Sequence, residues 1–373
     1  MAQDTDRNMR EIASQFQLGG KIADLSPYGS GHINDTFLSR VDTDTGQSKY
    51  VHQRINENVF KEPPKVMDNI ERVTGHLRSK IIDAGGDPLR QTLNLVPTVD
   101  GTTFCRDSEG GYWRTYLFIQ GARTYDVVES PGQVYSAAKA FAEFQEMVSD
   151  LPGRLHETIP DFHNTRWRFQ QFSEALEADV ENRAASVAKE IEFVLARQAD
   201  ASVLVNLLEQ GKTPERITHN DTKLNNVMID DQTGQGICVI DLDTVMPGLP
   251  MYDFGDSVRI GTNPAAEDET DLSKVSMDLD MFDRLAAGYL AAAKDFLLPI
   301  EIEHLAFSAR LMTYEQCIRF LADYLAGDTY YKIHRPKHNL DRCRTQLQMV
   351  LDMEQKADRM EEIVRKYNRR NAK

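Results

Sequence analysis

The chain has 373 residues, 41% of them hydrophobic and 27% charged, so it is long enough to bury a core in one bilobal domain or in two domains that share a cleft. Its formal net charge of −15 argues against nucleic acid and anionic membrane surfaces as partners, because an acidic surface repels phosphate. No apolar run approaches the roughly 18 residues of a membrane span. The scattered cysteines and the charged N-terminus predict a cytoplasmic protein without disulfides or structural zinc.

The first 120 residues predict a small, mostly antiparallel sheet with helices beside it. A short helix is expected at 9–17. Apolar residues recur at helical spacing from Val66 to Leu77, and Gly85 and Gly86 end that second helix. Alternating or β-rich segments predict strands at 35–41, 50–55, 93–99, 102–105 and 112–119.

Helical patterns dominate from about residue 130 onward. They predict helices at 131–148, 167–182, 184–198, 200–209, 278–296, 300–326 and 338–369. A short β-rich island interrupts them at 216–242. The change in pattern predicts an α+β fold with an N-terminal lobe of residues 1–120 and a mainly helical C-terminal lobe of residues 121–373.

The segment at 217–259 carries the most informative motif. His219, Asp221 and Asn226 form the pattern HxDxxxxN, and Asp241 follows Asn226 by fifteen residues in the run Ile-Asp-Leu-Asp. Kinases have the same order: an aspartate in a catalytic loop, an asparagine five residues later and a metal-binding aspartate further on. The order therefore predicts a phosphotransfer site.

These residue types suit phosphoryl transfer. Asp221 can accept the proton of an acceptor hydroxyl and aim it at the γ-phosphorus of ATP, while Asn226 and Asp241 supply hard oxygen ligands to Mg²⁺. A hairpin of strands at 227–230 and 236–241 would return Asp241 to the catalytic loop. Polar turns around two buried strands are the alternative for any single residue, but the joint spacing favours the functional interpretation.

Further candidate ATP contacts come from the N-terminal part. The turn that contains Gly29, Gly31 and His32 predicts backbone N–H groups close to phosphate, although an ordinary hairpin turn has the same composition. It is not a Walker A motif. The stretch from Phe118 to Gly121 follows a predicted strand and is a candidate hinge whose backbone binds adenine, or simply the end of a buried strand.

These motifs resemble the aminoglycoside phosphotransferase and choline kinase superfamily. The strings HNDTKLNN, IDLDTVMPG and DFGDSVR carry that resemblance. YGSGHIN, MDNIERVT, RFLADYLAGDTYY and HNLDRCRTQ extend it over nearly the full chain, toward bacterial N-acetylhexosamine 1-kinases. The resemblance implies a bilobal protein-kinase-like fold with ATP between the lobes. It also implies γ-phosphate transfer to the anomeric hydroxyl of N-acetylglucosamine or N-acetylgalactosamine.

The resemblance also implies site residues. Asp221 would be the base that contacts the acceptor, Asn226 and Asp241 would hold Mg²⁺, and Arg319 and Tyr330 would contact the sugar. Without the resemblance, Arg319 would be interpreted as a helix ion-pair residue and Tyr330 as an ordinary core aromatic.

Two questions stay open from the sequence. Asp243 is a second metal or substrate ligand, or a structural acceptor. The phosphate-clamping lysine that protein kinases carry on the third strand is missing. Gln53 and Arg54 stand there and face opposite sides of the strand, so either Gln53 hydrogen-bonds phosphate, or Arg54 replaces the lysine in a shifted register, or a lysine elsewhere supplies the charge. The glutamate that would pair with such a lysine is Glu71 on the following helix.

Other acceptors remain alternatives, namely choline, ethanolamine, homoserine, aminoglycosides and other sugars, as does a kinase-fold binding module without turnover. A choline site needs an aromatic cage and an aminoglycoside site needs dense acidic groups. The acidic run at 266–271 is compatible with the latter, or with a solvated loop, whereas Arg319 argues against a cationic acceptor. The oligomeric state is not predicted.

Overall fold

The computed structural model describes residues 2–29 and 33–369, with side chains from residue 8 onward. In this part of the chain, the N-terminal region holds a five-stranded antiparallel sheet in the order β1-β2-β3-β5-β4. Its strands are β1 (Gly20–Pro27), β2 (Asp35–Thr43), β3 (Gly46–Arg54), β4 (Cys105–Arg106) and β5 (Tyr112–Leu117). Its helices are α1 (Ala2–Ser14), α2 (Pro63–Asp83) and α3 (Pro88–Gln91).

Helices make up most of the remaining chain. They are α4 (Pro131–Val148), α5 (Thr165–Ala178), α6 (Ala188–Leu195), α7 (Val203–Glu209), α8 (Pro250–Gly261), α9 (Leu279–Ala293), α10 (Pro299–Glu303), α11 (Leu305–Leu325) and α12 (His338–Asn368). Short strands lie among them: β6 (Ala122–Arg123), β7 (Arg216–Thr218), β8 (Val227–Asp230), β9 (Gly236–Val239) and β10 (Met246–Gly248). The antiparallel hairpin of β8 and β9 turns the chain back toward the β7–β8 loop.

Sheet register brings distant residues together in the N-terminal region. Thr36 of β2 lies opposite Gln53 of β3, and Gln53 lies opposite Arg114 of β5. Because paired residues of neighbouring strands project from the same face, these three side chains form a row across the sheet. The row faces the helical region, which makes it the floor of a cleft.

Helix α2 joins the sheet region to the helical region. Ile70 and Val73 are fully buried in a core that also contains Leu242 and Val245 from the segment after β9. The Asn69 side chain donates to the carbonyls of His156 (2.8 Å) and Val245 (3.1 Å). This contact lets α2 support the turn that follows Asp241.

The predicted α+β architecture, with an antiparallel sheet followed by helices, is confirmed. The predicted strand at 93–99 is wrong: Leu95 makes an isolated bridge with Tyr116 and Thr98 makes one with Phe16. Pro97 lies between them and has no N–H with which to continue a ladder.

Several elements and element boundaries differ from expectation. Helix α1 ends at Ser14, before the predicted end at 17. Strands β1, β6 and β10 and helix α8 were not predicted. Helix α8 is buried from Pro250 to Val258, polar residues included, so the polar side chains of its sequence do not mark a solvent-facing side. Among the helices of the described residues, none combines the length and apolar character needed to cross a bilayer.

Close helix packing at Gly288 yields a stability prediction. A Cβ atom on this residue of α9 would lie 2.2 Å from the carbonyl oxygen of Tyr135 in α4. We expect Gly288→Ala to lower the free energy of unfolding by about 1–3 kcal/mol, because α9 must move away from α4. Gly75→Ala in α2 is the matched control, since nothing lies within 4 Å of its added Cβ. Equal melting temperatures for the two variants would contradict this packing.

Burial of His52 yields a prediction about pH. Its ring lies between the hydroxyls of Ser39 and Thr115, each at 2.8 Å, and burial lowers the pKa of His52 to about 4. The folded protein then binds fewer protons than the unfolded chain between pH 6.5 and 4, so stability falls as the pH is lowered through this window. The full effect is on the order of 3 kcal/mol.

The measurement is urea unfolding of the wild type, His52→Gln and His334→Gln at pH 7, 5.5 and 4.5. His334 is exposed and serves as the control. We expect a weaker pH dependence only for His52→Gln. Parallel pH curves for all three proteins would show that the buried imidazole does not titrate as described.

Candidate active site

The loop between β7 and β8 is held by one buried carboxylate. Asp253, in the first turn of α8, accepts hydrogen bonds from the backbone N–H groups of His219 (2.8 Å) and Asn220 (2.7 Å). Gln145 of α4 donates to it at 2.6 Å. Burial raises the pKa of Asp253, while these donors act in the opposite direction. The loop backbone is therefore fixed before any ligand binds.

His219 and Asn220 set the direction of the loop. The His219 ring is buried, accepts from the N–H of Asp221 (3.3 Å) and donates to the carbonyl of Ile240 (2.9 Å). Asn220 has a left-handed backbone (φ 65°), and its side chain donates to the carbonyl of Thr244 (2.9 Å). Asparagine tolerates this conformation better than most residues. His219 thus connects the catalytic loop to the residue before Asp241.

Asp221 and Asn226 are in direct contact. The Asn226 amide nitrogen donates to the Asp221 carbonyl (2.8 Å) and to its carboxylate (3.2 Å). This orientation leaves the Asn226 amide oxygen without a hydrogen bond from the described residues. Lys223 lies 2.8 Å from the Asp221 carboxylate. Burial opposes the charge of Lys223, but Asp221 raises the pKa of this lysine.

Asp241 completes the cluster. It has a left-handed backbone (φ 59°), and its carboxylate accepts no hydrogen bond from the residues that the structure describes. Burial, Asp243 and Asp221 together raise the pKa of Asp241 to about 6. A carboxylate crowded by two others is relieved by a cation, and with the amide oxygen of Asn226 it forms a donor set that fits Mg²⁺.

A cavity of about 580 Å³ opens between this cluster and the sheet. The predicted residues that line it are Gly29, Gln53, Phe118, Gly121, Asn226 and Asp241. Its volume lies in the usual range for small-molecule and cofactor sites. Gly31 and His32, which were also predicted to contact ATP, lie outside the described residues.

Asp243 and Arg54 lie away from the open cleft. Asp243 is 1% exposed; one carboxylate oxygen pairs with Arg114 and the other accepts from Asn34 at 2.7 Å. Both oxygens are therefore engaged by the N-terminal region. Arg54 faces the other side of the sheet, 3.8 Å from Asp107, so the structure does not support its use as a replacement for the missing lysine.

Arg319 and Tyr330 lie beyond the catalytic loop. Arg319 of α11 lies over the rings of Phe162 (5.1 Å) and Tyr331 (5.8 Å). Tyr330 is exposed, and its ring contacts the Tyr331 ring edge-on at 4.8 Å. The two predicted sugar contacts therefore share one aromatic neighbour, Tyr331.

His163 links this region to the catalytic loop. Its ring bonds to the carbonyl of Asn220 (2.9 Å) and to Glu315 (2.7 Å), one turn before Arg319 on α11. Thr165 donates to the other oxygen of Glu315 at 2.5 Å. Arg319 thus lies one turn along α11 from a carboxylate that contacts His163, which in turn bonds to the catalytic loop.

Sequence reasoning missed several supporting residues. Asp253 stood inside the string DFGDSVR but received no role, and His163 and Glu315 have no local motif that marks them. Lys223 stood inside the recognised motif but received no role. The available signal for Arg114 was a charged residue in the middle of an otherwise buried strand, which is rare unless the charge is paired.

Comparisons with solved structures show proteins of similar fold. Three similar structures are an aminopropanol kinase associated with a microcompartment, an amicoumacin kinase in complex with AMP-PNP and Ca²⁺, and a choline kinase from Cryptosporidium parvum. The first has a TM-score of 0.60 and 15% identity and covers 95% of this chain and 98% of its own. The amicoumacin kinase has a TM-score of 0.57 and 11% identity and covers 95% of this chain and 96% of its own. The choline kinase has a TM-score of 0.53 and 12% identity and covers 92% of this chain and 93% of its own.

At these identities the three structures establish a shared kinase-like fold. A family model described as the phosphotransferase enzyme family matches residues 24–300. This range includes the sheet, the catalytic loop and Asp241. The chain therefore belongs to the phosphotransferase enzyme family.

Proposed function

We propose that the protein is an ATP- and Mg²⁺-dependent kinase that phosphorylates the anomeric hydroxyl of an N-acetylhexosamine. The observation that supports the phosphotransfer is the convergence of Asp221, Asn226 and Asp241 beside a nucleotide-sized cavity. In this assignment residues 1–120 form the nucleotide lobe and residues 121–373 form the lobe that carries the catalytic loop and the sugar site.

The proposed roles follow from the contacts. Asp221 orients the acceptor hydroxyl and takes its proton as the oxygen attacks the γ-phosphorus. Lys223 places a positive charge beside that reaction. Asn226 and Asp241 hold Mg²⁺, which neutralises phosphate charge when bound. The backbone from Phe118 to Gly121 borders the cavity and binds adenine in this proposal.

The acceptor side supports a neutral substrate over a cationic one. Burial and the nearby charge of Arg319 lower the pKa of Arg168, so two cations share this region. Glu315 and Asp323, each four residues from Arg319 on α11, are already engaged. Glu315 is bonded to His163 and Thr165, and Asp323 accepts from the backbone N–H groups of residues 329–331. Arg319 has no carboxylate within salt-bridge distance among the described residues. Choline, ethanolamine and aminopropanol would meet repulsion here.

The acidic run at 266–271 does not offset this charge. Asp268 pairs with Arg335 (2.7 Å) and with His338 (2.9 Å), and Glu267 lies 3.1 Å from Arg259. These carboxylates are therefore already paired with Arg259 of α8 and with Arg335 and His338 near the start of α12. An N-acetylhexosamine instead offers carbonyl and hydroxyl oxygens, which the fixed donors of Arg319 can bind.

The first test is an acceptor panel with Mg·ATP. We expect ADP formation with N-acetylglucosamine or N-acetylgalactosamine, and little with choline, ethanolamine, 1-amino-2-propanol, homoserine or kanamycin. Phosphorus NMR should show phosphate on the anomeric carbon. Asp221→Asn should reduce kcat by about 10²–10⁴-fold because the hydroxyl loses its base.

The control for Asp221→Asn is Asp44→Asn, which makes the same chemical change in the exposed β2–β3 turn. Circular dichroism and melting temperature should match the wild type in both variants. Absence of ADP formation with every N-acetylhexosamine would refute the proposed acceptor. A wild-type kcat for Asp221→Asn would refute the proposed mechanism.

Arg319 provides the test of acceptor selectivity. Arg319→Met keeps the length of the side chain but removes its charge and its donors. We expect KM for the sugar to rise by about 10-fold or more while KM for ATP is unchanged, because charged hydrogen bonds are lost on the acceptor side only. Arg310→Met on the same helix, where Arg310 pairs with Asp200 at 3.2 Å, is the control. A rise in KM for ATP alone would contradict this assignment.

A further inference from the structure

The third strand has no cation at the position that would reach the nucleotide phosphates, because Lys49, four residues before Gln53, lies over the Phe118 ring at 5.4 Å. Gln53 stands at the position where protein kinases place a lysine, and its amide cannot neutralise charge. Arg54 is the next residue, but it lies on the other face of the sheet near Asp107. A triphosphate in the cavity would also meet the carboxylate of Asp241, which lines the cavity from the other side. A positive charge is therefore needed on the sheet side.

Arg114 of β5 occupies that side. It lies directly opposite Gln53 in the sheet and lines the same cavity. Its Nε and Nη2 atoms donate to the Gln53 amide oxygen at 3.1 and 2.9 Å, and its Nη1 atom pairs with Asp243. A guanidinium has five N–H donors, and these contacts use three. Two donors remain without a partner among the described residues.

The surroundings keep Arg114 charged and fixed. Its side chain is only 1% exposed. Burial opposes the charge, but Asp243 and Asp241 favour it and the pKa of Arg114 is raised. Gln53 is itself anchored by a hydrogen bond to Thr36 at 3.2 Å. An arginine held in this way loses little side-chain entropy when it binds phosphate.

Asp243 connects this arginine to two other parts of the site. It follows Asp241 by two residues, and its second oxygen accepts from Asn34, which directly precedes β2. The Asp243 carboxylate thus contacts Arg114 of the sheet and Asn34 beside β2, and it lies two residues from Asp241, a proposed Mg²⁺ ligand.

We propose that Arg114 binds the α- or β-phosphate of the nucleotide in place of the missing third-strand lysine, with Gln53 and Asp243 as its positioning residues. This inference rests on the proposed ATP-dependent function. The positive charge then comes from Arg114 of β5, which lies opposite Gln53, instead of from a residue of β3 itself. The counter-ion of Arg114 is Asp243, in the segment after β9. Glu71 of helix α2, where the partner of a third-strand lysine would be expected, is exposed.

Calorimetric titration of ADP and adenosine, with Mg²⁺ and without acceptor, tests this proposal. We expect Arg114→Gln to weaken ADP binding by about 10- to 100-fold, because charged hydrogen bonds to phosphate are lost. Adenosine has no phosphate, so its Kd should stay the same. Arg54→Gln, next to Gln53 but on the opposite face, is the matched control and should bind both ligands like the wild type.

Two further variants guard against misfolding, because Arg114→Gln leaves Asp243 buried without its cation. Arg114→Gln combined with Asp243→Asn removes both charges and should show the same selective loss of ADP binding. Arg114→Gln combined with Gln53→Lys moves the cation to the third strand and should recover most of the ADP affinity.

The outcomes separate this inference from the proposed function. Equal ADP affinity in the wild type and in the Arg114→Gln/Asp243→Asn double variant would overturn the role of Arg114 while leaving the kinase intact. Equal loss of ADP and adenosine would also overturn it, because the residue would then support the cavity instead of the phosphate. Absence of ADP binding to the wild type would instead refute the proposed function.

Discussion

The buried carboxylate of Asp253 is the contact on which the site depends. Two consecutive backbone N–H groups of the catalytic loop, from His219 and Asn220, have this carboxylate as their acceptor. A buried N–H group without a partner costs free energy comparable to a lost hydrogen bond, so the loop has little freedom to adopt another path. The positions of Asp221 and Asn226 follow from that path.

A second constraint joins the two regions of the molecule. Asp241 and Asp243 belong to one short segment, yet their carboxylates have different partners: the first faces the cavity and the second pairs with Arg114 of the sheet. Removing one partner of a buried ion pair typically costs about 3–5 kcal/mol. The segment that contains Asp241 and Asp243 is therefore expected to move together with the sheet, and α2 packs behind this segment through Asn69.

How well the site could be predicted depended on how far apart its residues lie along the chain. Asp221 and Asn226 lie five residues apart in one motif, so chemistry and spacing were enough to select them. Arg114 was missed because its importance depends on strand register with Gln53, which no local pattern encodes. The helix that carries Asp253 was missed because its polar residues are buried together with its apolar ones from Pro250 to Val258 and so mark no solvent-facing side.

The left-handed backbone of Asp241 (φ 59°) limits which residues can replace it during evolution. Asparagine and glycine adopt this conformation readily, while β-branched residues such as valine and threonine do so with strain. A relative that has lost cation binding but kept the turn should therefore carry asparagine or glycine at this position. Genomic surveys that look for inactive members of such a lineage can use this single substitution as a marker.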